Sequence, residues 1–262
     1  MDAETRRLLA KLERDGGKLE ARAIRSIDGA FRGVDLSPLI RELLAVMELR
    51  NPAARLAARE RLQALAAALL PDFPPPLTLA LTEGVQLGGT VGVGMLQTGA
   101  VTLEVVSPAV QAAAAATEAR YLAYWGDGRA EDAARLGRVI TQALTTGGKR
   151  YPVRQEIQAA LNVSKAKARN LARDGINAAL TDGQAAVWDT AREDLGLRMM
   201  KTWLHSGRGK DSRTQHVRLD GKTVDYDVDF IPGVLARPHD PRAGAKHNAN
   251  CRCSMTVKVV ED

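Results

Sequence analysis

A shortage of aromatic side chains constrains this chain more than any other feature. Phe, Trp and Tyr together number ten in 262 residues, too few to dominate the core of a large β-sandwich. Alanine, with 42 residues, is the commonest filler and also the best helix former. Hydrophobic residues still make up 45% of the chain, and the length suffices for a real core in one to three domains. That balance excludes a collagen, an acidic disordered tail and a disulfide scaffold. The expected fold is mainly α.

Leu8, Leu9, Leu12 and Leu19 fall at helical spacing with Arg and Glu between them. Asp35-Leu36-Ser37-Pro38 reads as a stop and restart, an Asp or Ser cap with Pro in the first turn. Leu39, Leu43, Leu44 and Met47 then give one apolar face. Asn51-Pro52 starts another helix in the same way, expected to run to about residue 70. Residues 1–70 thus form an N-terminal helical region. Pro71-Asp72-Phe73-Pro74-Pro75-Pro76 breaks it, because consecutive prolines fit neither a helix interior nor a central strand. Residues 71–107 are expected to be a Pro/Gly-rich linker or irregular segment. Their Gly and Val alternation fits a strand, a loop or a loosely packed helix.

Ser107-Pro108 opens a central helical domain over 108–197. The first helix is expected to end at Trp125, before Gly126-Asp127-Gly128. The next carries Ala133, Leu136, Ile140 and Leu144 on one face and closes at Gly147-Gly148. A short helix over 152–161, one capped by Ser164 to about residue 180, and a last one after Asp182-Gly183 follow. The character changes near residue 198. Residues 199–205, 223–231 and 253–260 read as strands between Pro- and Gly-rich loops, so 198–262 is expected to be a small C-terminal α+β module. The first residues carry acid early and lack an apolar stretch, unlike a signal peptide. No run of about 18 apolar residues exists, and no membrane association is expected. Two cysteines in so long a chain fit a reducing compartment.

All four histidines, His205, His216, His239 and His247, lie in the last 60 residues, as do both cysteines, Cys251 and Cys253. A small module with few aromatics often needs a staple, and zinc accepts imidazole nitrogen and thiolate sulfur. In an extended segment Cys251 and Cys253 point to one face, about 7 Å apart at Cα. That suits two thiolates on one ion and argues against a disulfide between them. His216 is the best third ligand, with His247, His239 or Asp240 as candidates for the fourth. The same residues also fit small buried thiols at a strand start with histidines bonded to loop carbonyls, or a redox pair.

Charge is concentrated elsewhere. Residues 149–174 hold seven basic side chains (Lys149, Arg150, Arg154, Lys165, Lys167, Arg169 and Arg173) against Glu156 and Asp174. That segment nearly matches the chain's net +6. Lys165, Arg169 and Arg173 are four apart and form a stripe on one helix face. Two short helices around Leu161-Asn162-Val163-Ser164 resemble a helix-turn-helix. The stripe fits a solvated face or nonspecific contact with double-stranded DNA phosphates. Base-reading side chains are thin at the start of the second helix.

Trp203, then Asp211-Ser212-Arg213-Thr214-Gln215-His216-Val217-Arg218-Leu219-Asp220-Gly221, then Pro238-His239-Asp240-Pro241 and Asn250-Cys251-Arg252-Cys253 form a specific combination. In order and spacing it resembles the phage head morphogenesis, or Mu F-like minor head protein, family. The motif positions are Asp211, Arg213, Leu219, Asp220, Gly221, Asn250 and Arg252. The resemblance covers 198–257 and extends back to about residue 108. Some relatives carry Cys-x2-Cys ending where His216 stands, which implies a ligand-type position there; Arg213 stands in place of the other cysteine. The family often has Gly at the position of His239 and Asn near that of His247, so the resemblance gives neither a ligand role. It implies a low-copy structural protein of a tailed-phage head, made in the host cytoplasm and carried in the virion. Its partners would be the portal or major capsid protein.

The competing function is a metal-dependent nuclease or toxin-like enzyme using the His/Cys cluster, with His239-Asp240 and His247-Asn248 as base and metal ligand. Against it, no paired carboxylates are placed for magnesium and no His-Glu-x-x-His helix exists. Asp225, Asp227 and Asp229 alternate along one stretch and fit a solvated face or a weak calcium site. Gly88-Gly89-Thr90-Val91-Gly92-Val93-Gly94 lacks the lysine of a phosphate loop, and no Gly-x-Ser-x-Gly is present. A DNA-binding regulator using 150–175 is a third reading. The expectation is a structural protein without enzymatic activity.

Overall fold

The computed structural model describes residues 1–96, 107–146, 152–207 and 212–260. Gly147-Gly148, Lys149, Arg150 and Asp211 lie outside the described residues. The elements in chain order are α1 (Ala3–Arg32), α2 (Ser37–Met47), α3 (Pro52–Ala57), α4 (Arg59–Ala68), α5 (Pro75–Leu96), α6 (Pro108–Thr146) and α7 (Val153–Leu195). After these come β1 (Met199–Leu204), α8 (Thr214–Leu219), β2 (Thr223–Asp225), a 3-10 turn at Pro241–Ala243, α9 (Gly244–Asn248) and β3 (Ser254–Val259). The fold is mainly α with a small α+β module at its C-terminal end.

Helix starts follow local cap chemistry. Asn51 Oδ1 accepts the Ala53 N–H at 2.9 Å, Asp35 Oδ1 accepts that of Ser37 at 2.9 Å, and Ser107 Oγ accepts that of Val110 at 3.3 Å. Each cap stands just before or beside a Pro in the first turn, where the missing N–H costs nothing. Pro75 and Pro76 likewise open α5, so the ambiguous segment is helical over Pro75–Leu96.

Interior glycines behave differently from their sequence reading. α6 runs unbroken through Gly126 and Gly128, neither of which has a neighbour within 4 Å of a Cβ position. Each costs about 1 kcal/mol of helix propensity, and buried Tyr121 and Trp125 before them and Leu136 and Ile140 after them outweigh it. α7 is also a single helix where three were expected. Ser164 caps nothing: its hydroxyl donates to Ala160 O, one turn back, at 3.1 Å. The helix-turn-helix is therefore absent, and α7 closes at Gly196 (φ 66°). The helix expected after Asn51 is instead divided at Ala58.

The chain divides into two compact units, each discontinuous in sequence. One comprises Ile24–Pro75 and Leu122–Arg169. Its core joins Leu39, Ile40, Leu43, Leu62, Ile140, Leu144 and Ile157, all nearly inaccessible to solvent. Leu44, read as part of the α2 face, points outward, and Ile40 and Val46 fill that face instead. Gln63 Nε2 donates to Gly137 O (3.2 Å) and Thr141 Oγ1 (3.1 Å), tying α4 to α6.

The other unit comprises Met1–Ala23, Pro76–Tyr121 and Asn170–Asp262. Here α5 and α7 meet backbone to backbone. A Cβ on Gly88 would lie 2.0 Å from Leu180 O, and one on Gly183 1.9 Å from Val85 O. Gly183, read as punctuation, is thus a helix-interior residue required by a partner helix. Beside it, Asp182 is buried and accepts from Thr117 Oγ1 (2.7 Å), Arg120 Nη2 (2.6 Å) and Arg237 Nη2 (2.7 Å). These bonds join α6, α7 and the C-terminal loops, and satisfy a carboxylate that burial alone would disfavour.

The antiparallel sheet has the order β2-β1-β3, with Thr202 opposite both Thr223 and Thr256. β1 buries Met199, Lys201 and Trp203 on one face. The Lys201 ammonium lies 5.3 Å from the ring centroids of both Tyr226 and Phe230. Burial pushes its pKa down to about 8, although Asp229, Asp189 and Asp227 oppose the shift. Between pH 8 and 10 the folded chain has released this proton while the unfolded chain retains it, so stability rises with pH. Lys201→Met is expected to remove about 2 kcal/mol of that rise, measured as the difference between urea-unfolding profiles at pH 8 and pH 10. Parallel profiles for variant and wild type would exclude this assignment.

Candidate metal centre

Three short segments converge at the His/Cys cluster. α8 presents His216, α9 presents His247, and the loop from Asn248 into β3 presents Cys251 and Cys253. Asn250 sets that loop: its φ of 56° is left-handed, which Asn tolerates better than most residues, and it lets Cys251 N–H donate to Asn248 O at 3.0 Å. The Asn250 N–H donates to Asp174 Oδ1 at 2.7 Å. Burial pushes the Asp174 pKa up to about 6.

His216 Nδ1 lies 3.6 Å from Cys251 Sγ and 3.7 Å from Cys253 Sγ, and all three side chains are buried. Zinc held tetrahedrally by a thiolate and an imidazole nitrogen places those two atoms about 3.6 Å apart. The donor set and its spacing therefore fit the ion. Trp203, edge-on to His216 with centroids 5.2 Å apart, walls the cluster and packs in turn against Phe230 at 5.2 Å. A hydrogen bond from Cys253 pulls Cys251 well below the usual thiol range, and Cys253 is pushed up correspondingly. The imidazoles of His216 and His239 act on Cys251 in the same downward direction.

His247 stands on the other side of His216. The rings stack 5.5 Å apart, and His247 Nδ1 lies 3.2 Å from His216 Nε2, the nitrogen directed away from the sulfurs. Its position is that of a partner which fixes the tautomer and orientation of a ligand. His239 lies on the Cys251 side, with Nε2 3.0 Å from Cys251 O. His205 is separate: its Nδ1 accepts the Gly207 N–H at 3.1 Å.

The family-motif residues shape this centre. Arg213 donates to Lys246 O and Ala249 O, each at 2.6 Å, clamping the end of α9. Asp220 Oδ1 accepts the His205 N–H at 2.9 Å, and Gly221 (φ 74°) donates its N–H to Trp203 O at 2.9 Å. Leu219 is buried. Arg252 reaches Glu20 Oε1 at 3.4 Å.

The basic stripe is not assembled into an open patch. Arg169 forms a two-pronged pair with Asp28, and Lys165 Nζ lies 3.4 Å from the same carboxylate. Arg173 Nε donates to Glu20 Oε1 at 2.8 Å. The Asp run is also dispersed: Asp227 pairs with Arg192, and Asp229 accepts from Arg242 Nη2 at 3.0 Å. The stripe was read without these acids because Asp28 lies 141 residues from Arg169, and Glu20 153 residues from Arg173.

The family model described as Phage Mu protein F like protein matches residues 134–256. Over 128 residues the chain is 30% identical to "Minor head protein GP7" of Bacillus phage SPP1, covering 47% of this chain and 40% of that one. It is 31% identical over 131 residues to "NAD(+)--arginine ADP-ribosyltransferase EFV" of Enterococcus faecalis (strain ATCC 700802 / V583), covering 48% of this chain and 26% of that one. It is 27% identical over 126 residues to "Uncharacterized protein YqbB" of Bacillus subtilis (strain 168), covering 46% and 40%. The chain thus spans between 26% and 40% of the length of these relatives. No solved structure matches. The matched segment contains the His/Cys centre and every motif residue around it, and over residues 134–256 the chain is similar to the Phage Mu protein F like family.

Proposed function

We propose that this chain is a minor structural protein of a tailed-phage head, carried in the virion and acting in head morphogenesis at the portal or inner capsid. The observation that carries this reading is the family match over 134–256 together with the similarity to a phage minor head protein. The site chemistry agrees with it. His216, Cys251 and Cys253 are buried beneath Trp203, which suits zinc as a structural staple for a small module rather than an ion exposed to substrate. No helix of the described residues is long and apolar enough to cross a membrane.

An enzymatic role has less support. The shared segment is only 26% of the protein named as an ADP-ribosyltransferase, and a segment also found in a head protein fits a common assembly or carrier part. The portal or major capsid protein is the favoured partner. The ion pairs of Lys165, Arg169 and Arg173 weigh against DNA as the principal partner, because a paired guanidinium releases fewer counterions on meeting phosphate. Disrupting the gene in its own phage or prophage is expected to lower the yield of infectious, DNA-filled heads, with rescue by the wild-type chain in trans. Unchanged heads and infectivity, together with nuclease activity of the isolated protein, would favour the enzyme instead.

A further inference from the structure

Three ligand atoms converge at the His/Cys centre, whereas a structural zinc site takes four. The sequence offers three candidates for the fourth, and their surroundings separate them. Asp240 is already committed: its carboxylate accepts from Ala236 N (2.8 Å), Arg242 N (2.9 Å) and the Arg242 guanidinium. His247 spends Nδ1 on the far nitrogen of His216.

His239 differs from both. It is only 2% exposed, and its Nε2 meets the carbonyl of Cys251 at 3.0 Å. A carbonyl accepts and never donates, so Nε2 carries a proton, and in the neutral ring that a metal ion selects Nδ1 presents a lone pair. That nitrogen is buried without a hydrogen-bond partner among the described residues, a state that costs free energy unless something fills it. Donation of one ring N–H to a backbone carbonyl while the other nitrogen binds the ion is the usual arrangement of a ligating histidine. His239 also holds φ at 56°, and non-glycine residues in this region gather at ligand clamps.

Resting on the zinc reading above, we propose that His239 Nδ1 is the fourth ligand, completing a two-cysteine, two-histidine site with Cys251, Cys253 and His216. His239 stands outside the group of three whose ligand atoms already lie within 4.8 Å of one another. The bond to the Cys251 carbonyl holds its ring beside them. His247 then serves His216 as its hydrogen-bonded partner, and the Cys251 carbonyl serves His239 in the same way.

X-ray absorption at the zinc edge of the full wild-type chain tests this directly. Two sulfurs and two imidazole nitrogens are expected. Zinc affinity, measured by competition with a chromophoric chelator, should fall more than about 100-fold in His239→Gln, and by about 10- to 100-fold in His247→Gln, the range for an outer partner. Two sulfurs with a single imidazole, or an unchanged affinity in His239→Gln, would overturn the assignment while leaving the zinc reading standing. A wild-type chain that binds no zinc would overturn both. If His239→Gln does not fold, the zinc-edge spectrum of His247→Gln decides: two imidazoles retained support His239, and a single imidazole overturns the assignment.

Discussion

Gly183→Ala is expected to leave the chain unable to fold stably, and Gly88→Ala to do nearly the same. In an ordinary helix interior this exchange stabilises, since alanine exceeds glycine by about 1 kcal/mol in helix propensity. Here the added methyl on residue 183 would lie 1.9 Å from Val85 O and 2.8 Å from Gly89 N, and that on residue 88 2.0 Å from Leu180 O. These are backbone atoms of a packed helix and cannot swing aside. Relief requires α5 and α7 to separate, which also exposes Val85, Val91, Val187 and Trp188. A loss of more than about 4 kcal/mol is expected, a large fraction of the stability of a typical domain. Gly17→Ala and Gly126→Ala provide controls of opposite sign: both sit inside helices with no neighbour within 4 Å, and each should gain a few tenths to about 1 kcal/mol. Urea-unfolding midpoints check all four. A Gly183→Ala protein as stable as wild type would refute the backbone contact between α5 and α7.

Loss of the proposed metal centre is expected to have the second large effect. Cys251→Ser and Cys253→Ser each remove a thiolate from a buried cluster, and metal chelation should reproduce both. Binding of structural zinc contributes about 10–16 kcal/mol in small zinc-finger peptides, far more than a module with so few large side chains supplies by packing. The sheet, α8 and α9 are therefore expected to open, while the unit built on Leu39, Leu62, Ile140 and Ile157 keeps its helices. Trp203 reports this directly, because its indole packs against His216. Near-ultraviolet dichroism and Trp emission should change sharply, with most far-ultraviolet helical signal retained. Zinc below a tenth of an equivalent in purified protein, or Cys251→Ser with unchanged Trp203 signals, would remove the metal from the description.

What the sequence revealed follows from how local each signal is. Asn51-Pro52 and Ser107-Pro108 marked helix starts correctly because a cap is settled within three residues. Gly126, Gly128 and Gly183 were misread as stops because what sustains a helix through them is packing by distant residues. His216, Cys251 and Cys253 were legible as a group because zinc chemistry needs those residue types in one module, and the fold does bring them together. The place of His247 behind His216 was not legible, since it depends on the facing of α8 against α9. Asp174 was counted only as a charge opposing its basic neighbours, whereas in the fold it anchors the loop that carries both cysteines. Lys165 and Arg169 looked free only because Asp28 lies far away along the chain.

Quantitative mass spectrometry of purified particles from the encoding phage or induced prophage tests the central claim most directly. The chain is expected in DNA-filled heads at a low, fixed number of copies relative to the major capsid protein. Its absence from such particles, with the protein recovered only from the surrounding lysate, would contradict a structural role in the head.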